Sequence, residues 1–198
     1  MREYESAAPS SYAERMSLTD KHVVVLVTGI SAAGKSTVSD LLAKRFGRGV
    51  HVKGDVFRRM VVSGRAEMTS NPTPEAQRQL HLRYRLGAAT ADAYFKAGFS
   101  VVLQDIVLGP KLDEYVGMIK SRPLCAVTLA PRPEVVAARE ASRSKSAYRP
   151  GFDTITALDN ALRFGTPRIG MWLDTSAQTP NETANEIAAR AWDEARIP

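Results

Sequence analysis

The side chains best suited to chemistry begin in one stretch, Gly29-Ile30-Ser31-Ala32-Ala33-Gly34-Lys35-Ser36-Thr37. It fits the pattern G-x-x-x-x-G-K-[ST] with no mismatch. Gly29 and Gly34 allow the backbone to wrap closely around an anion. The amides of Ser31, Ala32, Ala33 and Gly34 and the positive end of the next helix would face phosphate oxygens. Lys35 would bring a point charge to β- and γ-phosphates, and the Ser36 hydroxyl suits Mg²⁺. Thr37 carries the motif into the helix. A chance Gly-containing turn ending in Lys-Ser is the plain alternative. The flanks argue against it, because the apolar run Val23–Val27 precedes the stretch and a helical pattern, Val38 to Phe46, follows.

Further candidates lie just after other apolar runs. Asp55 follows the extended run 49–53 within Lys53-Gly54-Asp55-Val56-Phe57-Arg58. A carboxylate there can serve as general base toward an acceptor hydroxyl, and it can equally be a helix N-cap. Gly54 leaves room for a ligand. Arg58, one turn on, suits an acidic or polar acceptor, or a plain pair with Asp55. Asp105 closes the run Val101-Val102-Leu103-Gln104. An acid at that point is the Walker B arrangement, which holds Mg²⁺ directly or through water; an ordinary strand-end Asp is the alternative. Ile106 stands where many ATP-hydrolysing motors carry a water-activating Glu, which favours transfer to a bound acceptor. Arg139 and Arg143 share a helix face, with Arg132 on the same stripe and Arg149 beyond it. They suit closure over a nucleotide, or a solvated face partnered by Glu134 and Glu140.

Positioning these residues takes an alternating βα chain. Strands are expected over 23–27, 49–53, 99–103, 124–129 and 169–173. Helices are expected over 38–46, 55–62, 75–97, 111–120, 133–144, 153–164 and 181–195, with a polar loop at 64–74. The long helix has apolar or small residues at Leu80, Tyr84, Gly87, Ala88, Ala91 and Tyr94, the spacing of a buried helical face. Near-continuous apolar strands alternating with helices predict an α/β fold with a five-stranded parallel sheet covered on both faces. Ligands in such folds sit beyond the carboxyl ends of the strands, which adds Asp174-Thr175-Ser176 to the candidates.

The chain has 198 residues, 44% hydrophobic and 24% charged, normal for one globular domain. No apolar run reaches the roughly 20 residues of a membrane span. Residues 1–20 are polar and rich in small residues and read as a mobile arm, leaving 21–198 as a single domain. The net charge is +6, but the basic residues are scattered without a Lys/Arg run. That favours arginines serving nucleotide phosphates over a nucleic-acid surface. Cys125 is the one cysteine and lies in an apolar run, so a buried thiol and a reducing cytoplasm are expected. His22, His51 and His81 have no metal-ligand spacing.

With these residues in place, the chain resembles small P-loop kinases, and most of all the chloramphenicol phosphotransferase-like group. Gluconate, shikimate and adenylylsulfate kinases and zeta-type toxins resemble it more distantly. The resemblance spans about residues 23–195. It rests on Gly29 to Ser36, Gly54-Asp55, Gln104 to Gly109, Pro133 to Arg143 and Leu173 to Ser176. It implies that Asp55 is the catalytic base, that Arg139, Arg143 and Arg149 belong to a lid, and that Thr175 to Gln178 lie near the adenine. Gln104 departs from the pattern, which has a second acid there, and the 62–75 segment is unusually basic and Pro-rich. The antibiotic substrate therefore does not carry over. No Asn-Lys-x-Asp run of GTPases is present, and the chain is short for a ring ATPase with a helical lid domain.

The expectation is an ATP- and Mg²⁺-dependent O-phosphotransferase for a small hydroxylated molecule, an antibiotic or a sugar-like metabolite. Lys35, Arg139 and Arg143 would neutralise the transferring phosphoryl group, and Gln178 and Thr175 would border the base. A kinase of nucleotide-sugars or nucleic-acid ends and a non-enzymatic ATP-dependent module are the two rivals.

Overall fold

A computed structural model describes residues 17–69, 71–142, 148 and 154–198. The chain alternates β1 (Val24–Thr28), α1 (Lys35–Ala43), β2 (Gly49–Lys53), α2 (Gly54–Arg59), α3 (Pro74–Lys96), β3 (Ser100–Gln104), α4 (Lys111–Met118) and β4 (Leu124–Leu129). It continues with α5 (Pro133–Ala141), α6 (Ile155–Gly165), β5 (Met171–Leu173), α7 (Pro180–Glu194) and β6 (Arg196–Ile197). The sheet order is β2-β3-β1-β4-β5, all parallel. The expected α/β fold with a parallel sheet is present. One strand was not foreseen: β6 pairs antiparallel with β4 through Leu124 and Cys125.

The sheet separates two apolar layers. Every residue of β1 is fully or almost fully buried. Successive side chains on a strand point to opposite faces. So Val25 and Val27 pack with Leu42 and Ile187 of α1 and α7, while Val24 and Leu26 pack with Tyr84 and Leu112 of α3 and α4. Burying each Val or Leu side chain contributes about 1.5–3 kcal/mol. A strand apolar on both faces therefore belongs in the middle of a covered sheet. Cys125 is buried as expected, and burial pushes its thiol up to about 11.

Register decides where the chemistry goes. Val27 pairs with Gln104, and Gln104 pairs with Lys53. Three strands thus end at one level, and the segments from Gly29, Gly54 and Asp105 leave the sheet side by side. Local signals start two of the helices. Thr73 caps α3 with Pro74 at its first turn, and Thr179 and Glu182 form a reciprocal capping box on α7.

The arm expected over residues 1–20 lies outside the described residues as far as residue 16. Its end does not hang free: Leu18–Asp20 form a single 3₁₀ turn, Leu18 is fully buried, and the Ser17 hydroxyl donates to the Ala188 carbonyl. No described helix is long and apolar enough to cross a membrane.

His51 on β2 is a titratable group inside this framework. Its side chain is 7% exposed, with Asp40 3.8 Å away, and among the described residues neither ring nitrogen has a hydrogen-bond partner. Burial pushes its pKa down to about 4, and Lys53 adds to the effect against the opposing Asp40. The folded state therefore prefers the neutral ring, whereas the unfolded chain takes up a proton near 6.5. Stability from this site is complete above about 6.5 and is lost as pH falls toward 4. Thermal melts at pH 7 and pH 5 should show this loss, and His51→Gln should shrink the difference between them.

Candidate active site

The expected residues meet in one cleft of about 750 Å³ at the carboxyl edge of the sheet. Residues Ser31 to Val38, Asp55, Arg58, Asp105, Arg139, Thr175 and Gln178 all line it. Gly29 does not. It is buried at φ +141°, and a Cβ there would lie 2.4 Å from the Leu129 carbonyl oxygen. Its small size serves the tight passage of the loop against β4. Arg143 and Arg149 lie outside the described residues.

The loop after β1 has the geometry of an anion cradle. Gly34 (φ +95°) and Ala32 (φ +61°) both take the left-handed conformation, which is uncommon for alanine. Backbone strain of this kind concentrates at ligand sites. Lys35 opens α1 and is almost wholly buried, and its Nζ donates to the Ile30 carbonyl at 2.7 Å. The ammonium is thus held over the loop it would serve. Arg139 on α5 spans the cleft, donating to the Thr175 carbonyl at 2.9 Å and to the Ala33 carbonyl at 3.4 Å. It joins the phosphate loop to the segment after β5. In that segment Gln178 has its amide fixed, accepting from the Thr183 hydroxyl at 2.9 Å and donating to Glu186.

Asp55 stands in the first turn of α2, inside the helix, so the N-cap alternative does not hold: Lys53 occupies the cap position. Its carboxylate is half exposed to the cleft and lies 3.2 Å from Arg59. Arg58 pairs with Glu67 instead of Asp55.

Asp105 has partners that the sequence did not disclose. Its side chain is fully buried and forms a two-point ion pair with Arg83 of α3, with Arg83 Nε 2.9 Å from Oδ2. Oδ1 also accepts from the Ile106 amide at 2.7 Å. Gly54 lies directly against this carboxylate, and a Cβ there would fall 1.9 Å from Oδ2. Gly54 thus makes room for Asp105, where a ligand was expected. Burial pushes the Arg83 pKa down, and the neighbouring Asp55 charge opposes this. Tyr84, next in sequence, donates to the Ile106 carbonyl at 2.8 Å and holds the turn after β3.

The residues fit a nucleotide with a hard cation. Ser36 is exposed at the cleft, and its hydroxyl meets the Gln104 amide oxygen at 3.3 Å. Neutral oxygen donors of this kind, together with phosphate oxygens, suit Mg²⁺. The Asp105 carboxylate is already neutralised by Arg83, so direct metal binding there would require breaking that pair.

Glu67, Met68, Arg83, Pro180 and Thr183 also line the cleft, beyond the residues singled out from the sequence. A signal for Arg83 existed. It lies on the stripe of Leu80, Tyr84 and Gly87, where a charge amid apolar residues demands a buried partner.

Solved structures share this architecture. A sugar kinase from Janibacter sp. HTCC2649 aligns with a TM-score of 0.63 at 20% identity, over 87% of this chain and 95% of its own. A gluconokinase from Sinorhizobium meliloti 1021 aligns with a TM-score of 0.56 at 19% identity, over 84% and 89%. The tunicamycin resistance protein of Deinococcus radiodurans aligns with a TM-score of 0.62 at 16% identity, over 88% and 98%. At these identities the likeness establishes the fold alone, a parallel α/β sheet flanked by helices. No curated protein sequence matches the chain significantly. The sequence pattern of a family described as the AAA domain matches residues 24–167. By that match, over most of its length, the chain belongs to the AAA domain family.

Proposed function

We propose that this chain is an ATP- and Mg²⁺-dependent O-phosphotransferase that acts on a hydroxyl of a small molecule. One observation carries the reading: the loop 31–37, Asp55 and Arg139 face a single cleft. A phosphate cradle, a carboxylate and a mobile-type cation are the minimum set for moving a phosphoryl group to an alcohol. Residues 21–198 would act as one kinase domain, and the acceptor would be an antibiotic or a sugar-like metabolite.

Loop amides and Lys35 would hold the phosphate chain, with Ser36 and Gln104 toward Mg²⁺. Bound ATP–Mg²⁺ would supply the phosphoryl group and offset its charge. Asp55 would accept the proton of the acceptor hydroxyl. Arg139 would release one of its carbonyl partners and turn its guanidinium to the developing charge. Thr175 and Gln178 would border the base. Asp105 acts as a positioning residue, because its pair with Arg83 fixes the floor between the phosphate loop and Asp55.

Titration of AMPPNP with Mg²⁺ tests the nucleotide half of this reading. Wild type should bind. Lys35→Ala should bind about 10- to 100-fold more weakly, the loss of a charge-assisted contact. Failure of the wild type to bind would overturn the reading.

A further inference from the structure

The loop between α2 and α3 returns a carboxylate to the cleft. Glu67 lines it beside Asp55, Arg58 and Arg83. Its Oε2 accepts from Arg58 Nη2, and its Oε1 accepts from Arg65 Nε at 3.2 Å. Two guanidiniums from different segments therefore converge on one side-chain anion. The loop that carries them is anchored. The Gln79 side chain on α3 accepts from the Ala66 amide at 2.9 Å and donates to the Gly64 carbonyl at 2.9 Å. One amide thus clamps the backbone on both sides of Arg65.

Guanidinium forks match carboxylates and phosphates in geometry as well as charge. The Arg58–Glu67 pair is more than a third exposed on both sides, so it adds little to the stability of the fold. An incoming anion can take its place at small cost. A carboxylate already shared by two cations is also a weak attractor for a cationic ligand, so Arg58, which lines the cleft, sets the preference there.

Resting on the phosphotransferase reading, we propose that Arg58 and Arg65 form an anion subsite for the acceptor. Glu67 is its resident occupant, displaced when an acceptor bearing a carboxylate or a phosphate enters. The acceptor is then a hydroxylated acid or a phosphorylated alcohol, with its anionic group at Arg58 and its reacting hydroxyl toward Asp55, three positions earlier on α2. Glu67 keeps the arginines neutralised until that anion arrives.

The test uses inorganic phosphate as probe, titrated calorimetrically into the whole chain saturated with AMPPNP and Mg²⁺, so that the nucleotide phosphate loop is filled. Glu67→Gln should tighten phosphate binding about fivefold over wild type, the worth of an exposed pair. Adding Arg58→Gln to that variant should weaken binding by about tenfold or more. Equal affinity in wild type, E67Q and the double variant, all folded by thermal melt, would overturn the subsite. A parallel titration with malonate separates the two anion classes: the class with the larger gain in E67Q is the one the subsite takes. AMPPNP binding is read in the same samples. If AMPPNP binds and the contrast among variants is missing, the subsite alone fails. If AMPPNP does not bind and the Arg58-dependent contrast remains, the nucleotide reading fails and the subsite stands.

Discussion

Replacing Asp55 by Asn lowers turnover by about 10²–10⁴-fold, the usual worth of a positioned general base, while AMPPNP affinity stays within about twofold of wild type. The split follows from placement. Asp55 follows β2 and lines the cleft with Arg58 and Glu67, whereas residues 31–37, which would address the phosphates, follow β1. Its partner Arg59 is one turn away on the same helix and well exposed, so the amide removes no structural pair of consequence. Steady-state kinetics with a turnover-competent acceptor, beside an AMPPNP titration, checks both halves. Unchanged turnover would remove the base from Asp55.

Replacing Arg83 by Met destabilises the fold by about 3–5 kcal/mol, the cost of breaking a buried pair from one side. For a chain of this size that is a fall in Tm of roughly 6–20 °C. Asp105 is then left fully buried, with the Ile106 amide the one hydrogen-bond donor to its charge among the described residues. Adding Asp105→Asn should recover a large part of the loss, because the amide needs no counter-charge in the interior. Thermal and urea unfolding of the two single variants and the double variant give the cycle. A loss below about 1 kcal/mol for R83M would show that this pair is not the buried, charge-compensated unit described here.

These two residues also mark how far a sequence can be read. The phosphate loop is contiguous, and its chemistry, flanking strand and helix are all local, so Ser31 to Thr37 could be read directly. Asp55 and Asp105 became candidates by a rule about strand ends, and the shared register of Val27, Gln104 and Lys53 brings them together. What each carboxylate touches was a different matter. Asp105 was expected at a metal, yet a residue 22 positions earlier on α3 takes its charge. Helix periodicity places Arg83 on the buried stripe, but which acid it meets depends on how α3 packs across β3. Gly29 and Gly54 show the same limit. Both were read as room for a ligand, and each turns out to make room for the protein itself, against Leu129 and Asp105. Glu67 had no signal at all, because a loop has no period and its place is set by Gln79. Strand β6 has two residues, too few for any alternation, and exists because β4 offers it an edge.

The central claim is transfer from ATP to an alcohol, and acceptor-dependent ADP release tests it most directly. Purified protein with ATP and Mg²⁺ is screened against hydroxylated acids, phosphorylated alcohols, neutral sugars, nucleosides and hydroxylated antibiotics, with Lys35→Ala as blank. The account predicts release that depends on an acceptor, is absent from the blank and collapses in D55N. Slow release indifferent to every acceptor, with ATP bound, would contradict it and leave a nucleotide-binding module in place of a kinase.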